Sequence, residues 1–222
     1  MSAASTAIGE ERTRPRFRGV THKYAFYASL ITGAVLLVAA PTRKAGAAAA
    51  IYAASVSALF GTSALYHRIT WQPSARRWMR RLDHSMIFIL IAGTYTPFAV
   101  LVLHGTLAHV VLAVVWGGAL AGVILKLVWI DAPKWLVSGV YVALGWVGVV
   151  TIPQLLSRAG VGAVALIVVG GLLYSAGAVI YALRRPDPSP TVFGYHEIFH
   201  LLVIGAVALQ YAVVAFWVVN PS

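Results

Sequence analysis

The chain has 222 residues, of which 60% are apolar and 10% charged, with no cysteine and a formal net charge of +11. That composition excludes an ordinary soluble domain and leaves room for several membrane crossings. The lack of thiols excludes disulfides and thiolate metal sites, so any transition metal must be held by histidine or carboxylate.

Residues 1–23 are polar and basic, carrying Arg12, Arg14, Arg16, Arg18 and Lys23, and read as a tail. No apolar core precedes the first span, and that span leads into others, so it is expected to be a retained helix rather than a cleaved signal peptide. A helix needs roughly 20 apolar residues to cross about 30 Å of hydrocarbon. Runs near that length recur seven times, at 24–40, 46–66, 85–103, 107–127, 135–152, 161–183 and 198–219. The breaks carry turn and charge signals: "PTRKAG", "HRITWQPSARRWMRRLDH", "IDAPK", "PQLLSRAG" and "RRPDPSPTVFG". Only His104, Gly105 and Thr106 separate the third and fourth runs. With no internal repeat and no separate soluble domain, the expected fold is an all-α bundle of seven transmembrane helices over 24–222.

The basic residues sort by side. On the amino-terminal side of seven crossings lie the tail residues, Arg68, Arg76, Arg77, Arg80, Arg81, Lys126, Lys134, Arg184 and Arg185, together 14 of the 17; Arg43, Lys44 and Arg158 lie opposite. By the positive-inside rule the amino terminus is cytoplasmic and the carboxy terminus outside, in a multi-pass protein of the cell membrane. The basic loops are expected to attract anionic lipid, and nothing in this distribution suggests nucleic acid.

Ionisable groups at membrane depth are costly and default to functional candidates. The second span ends at "SALYH" with His67, the third begins at "RLDHS" with Asp83, and the seventh begins at "YHEIFH" with His196 and His200. In the seven-crossing topology all four fall at the cytoplasmic boundary. His196 and His200 are four apart, so both imidazoles project from one helix face and can reach one ion. Ser63 has the same spacing from His67, one turn deeper. His22, His104 and His109 read as hydrogen-bonded interfacial residues, and His84, rotated about 100° from Asp83, as a packing or supporting group.

The "HEIFH" match to a zinc-protease helix lacks its usual downstream ligand, because 201–222 contain no His, Asp or Glu. The third ligand must come from upstream. Glu197 is left open between a base, a supporting partner of the histidines and an exposed interfacial residue.

"SALYH", "RLDHSMIFILIAGTYTPF" and "YHEIFHLLVIGA", in this order, resemble the hemolysin III family of bacterial membrane proteins, related to the progestin and adipoQ receptors and more distantly to alkaline ceramidases. The resemblance runs from about Arg18 onward. It implies a barrel-like seven-helix bundle with an intramembrane zinc held by three histidines. On matching positions these are His67, His196 and His200, with Asp83 contacting the metal or its water and Ser63 beside it. Glu197 matches the bacterial branch, whereas the receptor branch tends to carry glutamine, which argues against a universal base there.

Three histidines leave a tetrahedral ion one open position, the arrangement of catalytic zinc. With Asp83 to take or orient a proton and Ser63 to stabilise an oxyanion, the expected activity is hydrolysis of a lipid amide or ester. With Asp83 as a fourth ligand the site closes, which suits a sensing or regulatory protein. The family name also raises a pore or cytolysin, but the spans carry neither a ring of charges nor a repeating polar face. Pro97 is expected to kink the third span, with Thr94 or Thr96 compensating. Gly118, Gly122, Gly170, Gly171 and Gly177 are expected to allow close helix contact, and Tyr24, Trp71, Trp135 and Trp217 to anchor the interface.

Overall fold

Segments this apolar must satisfy every backbone donor and acceptor internally when water is excluded, and the helix does so within a single segment. A computed structural model describes residues 15–219. The part of the tail that carries Arg12 and Arg14 lies outside the described residues. Seven α-helices follow in order: α1 (Val20–Ala39), α2 (Arg43–Arg68), α3 (Pro73–Leu101), α4 (Gly105–Val128), α5 (Lys134–Gly145), α6 (Ile152–Leu183) and α7 (Tyr195–Val213). A 3-10 segment, Trp146–Thr151, joins α5 to α6, and a π-helical turn, Val214–Val219, extends α7. Among the described residues the only β-type pairing is an isolated bridge between Ser189 and Phe193. Six continuous helical segments are long and apolar enough to cross a membrane, the fifth running from Lys134 to Leu183.

That fifth segment departs from the sequence reading, which placed a loop over 153–160. Residues 152–159 are helical, and Pro153 is tolerated because the first turn of a helix has no use for its missing amide. The break is confined to Gly160, whose φ of 78° and ψ of 174° suit only glycine. The chain doubles back there. Lys134 Nζ lies 4.3 Å from the Tyr181 ring centroid, and Trp146 Nε1 donates to Ser175 Oγ at 2.9 Å.

The first helix also starts earlier than expected. It begins at Val20, directly after Gly19 in the left-handed region (φ 75°), so His22 and Lys23 belong to it. Its outer face carries exposed Tyr24, Ile31 and Val38, the apolar outward surface that lipid requires. Tyr52 of α2 and Phe88 of α3 are fully enclosed. A Cβ on Gly122 of α4 would lie 2.3 Å from the Phe88 ring, so the close α3–α4 approach depends on that glycine. At Pro97 the side chain of Thr96 turns into the backbone, donating to the Ala92 carbonyl at 2.9 Å and accepting from Trp116 Nε1 at 3.2 Å.

Candidate metal centre

The centre is assembled from the end of α2, the second and third turns of α3 and the start of α7. The first turn of α7 is tightly specified. Glu197 accepts the Gly194 amide at 2.8 Å and pairs with the Arg18 guanidinium, while Asp187 Oδ1 accepts the Tyr195 amide at 3.0 Å. A carboxylate at the start of a helix also complements the positive end of its dipole. His196 and His200 then project from one face of α7 toward α2.

His67, His196 and His200 each offer a ring nitrogen, and these three atoms all lie within 4.8 Å of one another. His196 Nε2 stands 3.2 Å from His67 Nε2, with the two rings nearly perpendicular at 78°. Zinc–nitrogen bonds of about 2.05 Å in a tetrahedron imply a ligand–ligand edge of about 3.3 Å, so this pair already has the spacing of two ligands. His200 Nδ1 is buried without a hydrogen-bond partner. Buried imidazoles that face one another, one with an unsatisfied nitrogen, are what a divalent ion would satisfy. The three histidines could therefore hold a metal ion.

The Asp83 carboxylate stands beside this group, its Oδ2 3.8 Å from His67 Nε2 and its side chain only 12% exposed. The Ser63 hydroxyl neighbours the Asp83 carboxyl, and its Oγ lies 2.8 Å from His22 Nδ1. The structure thus brings together all five residues singled out from the sequence: Ser63, His67, Asp83, His196 and His200.

His22 is a correction. The sequence reading placed it in the interfacial tail; it is 3% exposed and stacks on His200 with ring centroids 3.7 Å apart and planes 7° apart. A first helix starting at Val20 would have put this histidine at the membrane level of the other candidates. Glu197 is buried rather than interfacial, with its oxygens taken by Arg18 and Gly194, which leaves it supporting the histidine helix rather than facing a reacting atom. His84 lines the cavity beside the centre, with Nδ1 2.7 Å from the Arg80 carbonyl and Nε2 3.2 Å from the Tyr181 hydroxyl. His104 and His109 sit away from the centre, held by the Val102 and Gly105 carbonyls.

One cavity of about 190 Å³ meets the centre. His22, Ser63, Asp83, His196 and His200 line it at one end, and Leu90, Phe98, Leu103, Leu155 and Val164 line it farther on. Asp83 and Phe98 of α3 both contribute, and the 15 helical positions between them correspond to about 23 Å. Beyond the centre the walls are mostly aliphatic and aromatic, so the cavity is polar at one end and apolar along the rest.

Comparison with known proteins agrees with this architecture. The family described as "Haemolysin-III related" matches residues 10–211. The chain is 32% identical over 206 residues to Hemolysin-3 of Bacillus cereus, covering 91% of each protein. It is 32% identical over 170 residues to the Hemolysin-3 homolog of Bacillus subtilis (strain 168), covering 77% of this chain and 76% of that one. Similarity extends to the Adiponectin receptor protein of Drosophila melanogaster, 30% identical over 159 residues, 61% of this chain and 34% of that protein. With six helical segments able to cross a bilayer and a family match over nearly its whole length, the chain belongs to the haemolysin III family and is a multi-pass protein of the cell membrane.

Proposed function

We propose that this protein is a zinc-dependent hydrolase of lipid amide or ester bonds. The observation that carries the reading is the meeting of three mutually facing histidines with Asp83 and Ser63, four of these five residues lining the end of one long apolar cavity. Three imidazoles with no thiolate suit zinc, and a three-histidine set leaves the open position that catalytic sites keep. Zinc held there supplies Lewis acidity toward a carbonyl oxygen and toward water.

The roles of the chain's own groups follow from their positions. Asp83 accepts the proton of the attacking water and returns it to the leaving amine or alcohol. Its Oδ2 stands 3.8 Å from His67 Nε2, beside the group that would hold the ion. Ser63, beside Asp83, gives its one proton to the Asp83 carboxylate while Asp83 acts as base, and turns it to the oxygen that has gained charge once Asp83 has taken the proton of the water. The cavity takes the acyl chain and holds its carbonyl at the polar end, lowering the entropic part of the barrier.

The topology that serves this chemistry has seven crossings. The segment from Lys134 to Leu183 counts as two, because Lys134 and Tyr181 meet across the reversal at Gly160. The basic residues then gather at the end that carries the histidines, which puts the centre at the cytoplasmic side. Anionic lipid is the natural neighbour of those loops.

The test is release of fatty acid by the purified protein from a panel of ceramide-like and glycerolipid substrates. Activity is expected in the zinc-loaded protein, lost on chelation and recovered on adding zinc. A parent protein that cleaves nothing across the panel would leave the same cavity and metal to a sensing role.

A further inference from the structure

Three residues at the entry to α1 meet the metal centre or the first turn of the helix that carries it. Arg18 pairs with Glu197. Gly19 lies so close to His67 that a Cβ added to it would sit 2.5 Å from the His67 Cβ, and its φ of 75° is itself unfavourable for other residues. His22 stacks on His200 and hydrogen-bonds Ser63.

We propose that His22 is a positioning residue of the centre, fixing the ring plane of His200 and the direction of the Ser63 hydroxyl. The inference rests on the metal reading above and extends it to a residue outside the set of ligands. Two facts of geometry carry it. A ring lying parallel at 3.7 Å blocks rotation of the His200 imidazole, and rotation would swing its ligand nitrogen off the ion. The Ser63 hydroxyl has one proton to give and stands between two partners. If it donates to the Asp83 carboxylate, His22 Nδ1 must carry its own hydrogen and donate to Ser63 Oγ. The chain His22, Ser63, Asp83 then runs in one direction, with each hydrogen assigned. Groups that orient ligands in this way typically contribute 10–100-fold to metal affinity.

Cobalt(II) gives the test a spectroscopic readout, because its visible bands report the geometry of the ligand set. The full chain, purified in detergent, is stripped of metal and titrated with cobalt as the parent, His22→Phe, His22→Asn and His22→Ala. Phe keeps a ring over His200 and loses the bond to Ser63; Asn keeps a donor near the Nδ1 position and loses the ring. The parent is expected to bind one cobalt. His22→Ala is expected to bind about 10–100-fold more weakly with displaced bands, and His22→Phe and His22→Asn to recover different parts of that loss. Unchanged affinity and bands in all three variants would overturn the proposal. So would weaker binding with unmoved bands, or loss of folded protein in all three, since either is the signature of a packing residue. A parent that takes up no cobalt would instead defeat the metal reading on which the proposal stands.

Discussion

Arg18 and Glu197, 179 positions apart in sequence, form an ion pair at the metal centre, and the second Glu197 oxygen accepts the Gly194 amide at 2.8 Å. The pair ties the entry of α1 to the first turn of α7, the turn that presents His196. Glu197 is fully buried and Arg18 keeps 20% of its side chain exposed. Breaking such a pair strands a buried carboxylate, at a cost of about 3 kcal/mol here, the lower end for buried pairs because Arg18 is partly hydrated. Arg18→Ala should therefore melt well below the parent in detergent. The double variant Arg18→Ala with Glu197→Gln should recover much of that loss, since the amide still accepts from Gly194 and leaves no unpaired charge. Equal melting of parent and Arg18→Ala would show that the pair contributes nothing.

Glu197→Gln alone separates a supporting carboxylate from a catalytic base. Buried, ion-paired to Arg18 and bonded to the Gly194 amide, Glu197 is engaged in holding the start of α7. The variant should keep its zinc and most of its hydrolytic rate. A fall of several orders of magnitude with zinc retained would restore the protease-like role suggested by the "HEIFH" motif.

Metal content tests the histidine cluster. Purified protein should carry about one zinc per chain, and His67→Ala or His200→Ala should lose most of it, because each removes one of three ligands. His104→Ala should not, since that imidazole is held by the Val102 carbonyl away from the centre. The pH dependence has a fixed sign. Zinc needs unprotonated imidazoles, so protons compete with it and retention should fall as the pH is lowered through the imidazole range. Full zinc in both histidine variants would dismiss the cluster as a metal site.

Orientation has its own check. A reporter inserted within residues 73–77 should be active only on the cytoplasmic side, and one fused after Ser222 only outside. A cytoplasmic carboxy terminus would mean an even number of crossings and would scatter the basic loops over both faces. The haemolysin names of the relatives add a separate measurement: liposomes holding this protein should retain a trapped dye, as a cavity that is apolar along its length and carries no ring of charges leads to no pore.

Much of the centre could be read from the sequence, because its determinants are local. The four-residue spacings of Ser63 with His67 and of His196 with His200 fix which side chains share a face, and hydropathy places the ends of three spans at one depth. His22 escaped because the stretch Thr21, His22, Lys23 reads as polar when hydropathy is averaged. The helix start is set instead by the backbone turn at Gly19, which hydropathy does not register. The loop expected at 153–160 failed for a related reason: Pro153, Ser157 and Arg158 are compatible with helix there, and Gly160 alone makes the reversal. Glu197 was ambiguous because its environment is decided by Arg18, and pairing at that sequence distance leaves no periodic trace.

The account depends most on Asp83, and one preparation of Asp83→Asn measured for zinc and for fatty acid release tests it most directly. The amide occupies the same space beside His67 and Ser63 but cannot accept a proton. The prediction is a protein that keeps nearly all its zinc and loses lipid amide or ester cleavage by at least about 100-fold, the usual worth of a positioned general base. Cleavage retained in the variant would contradict the role given to Asp83. Zinc and thermal stability lost together, in a protein whose parent form cleaves nothing, would contradict the hydrolase itself and make Asp83 a ligand of a structural metal.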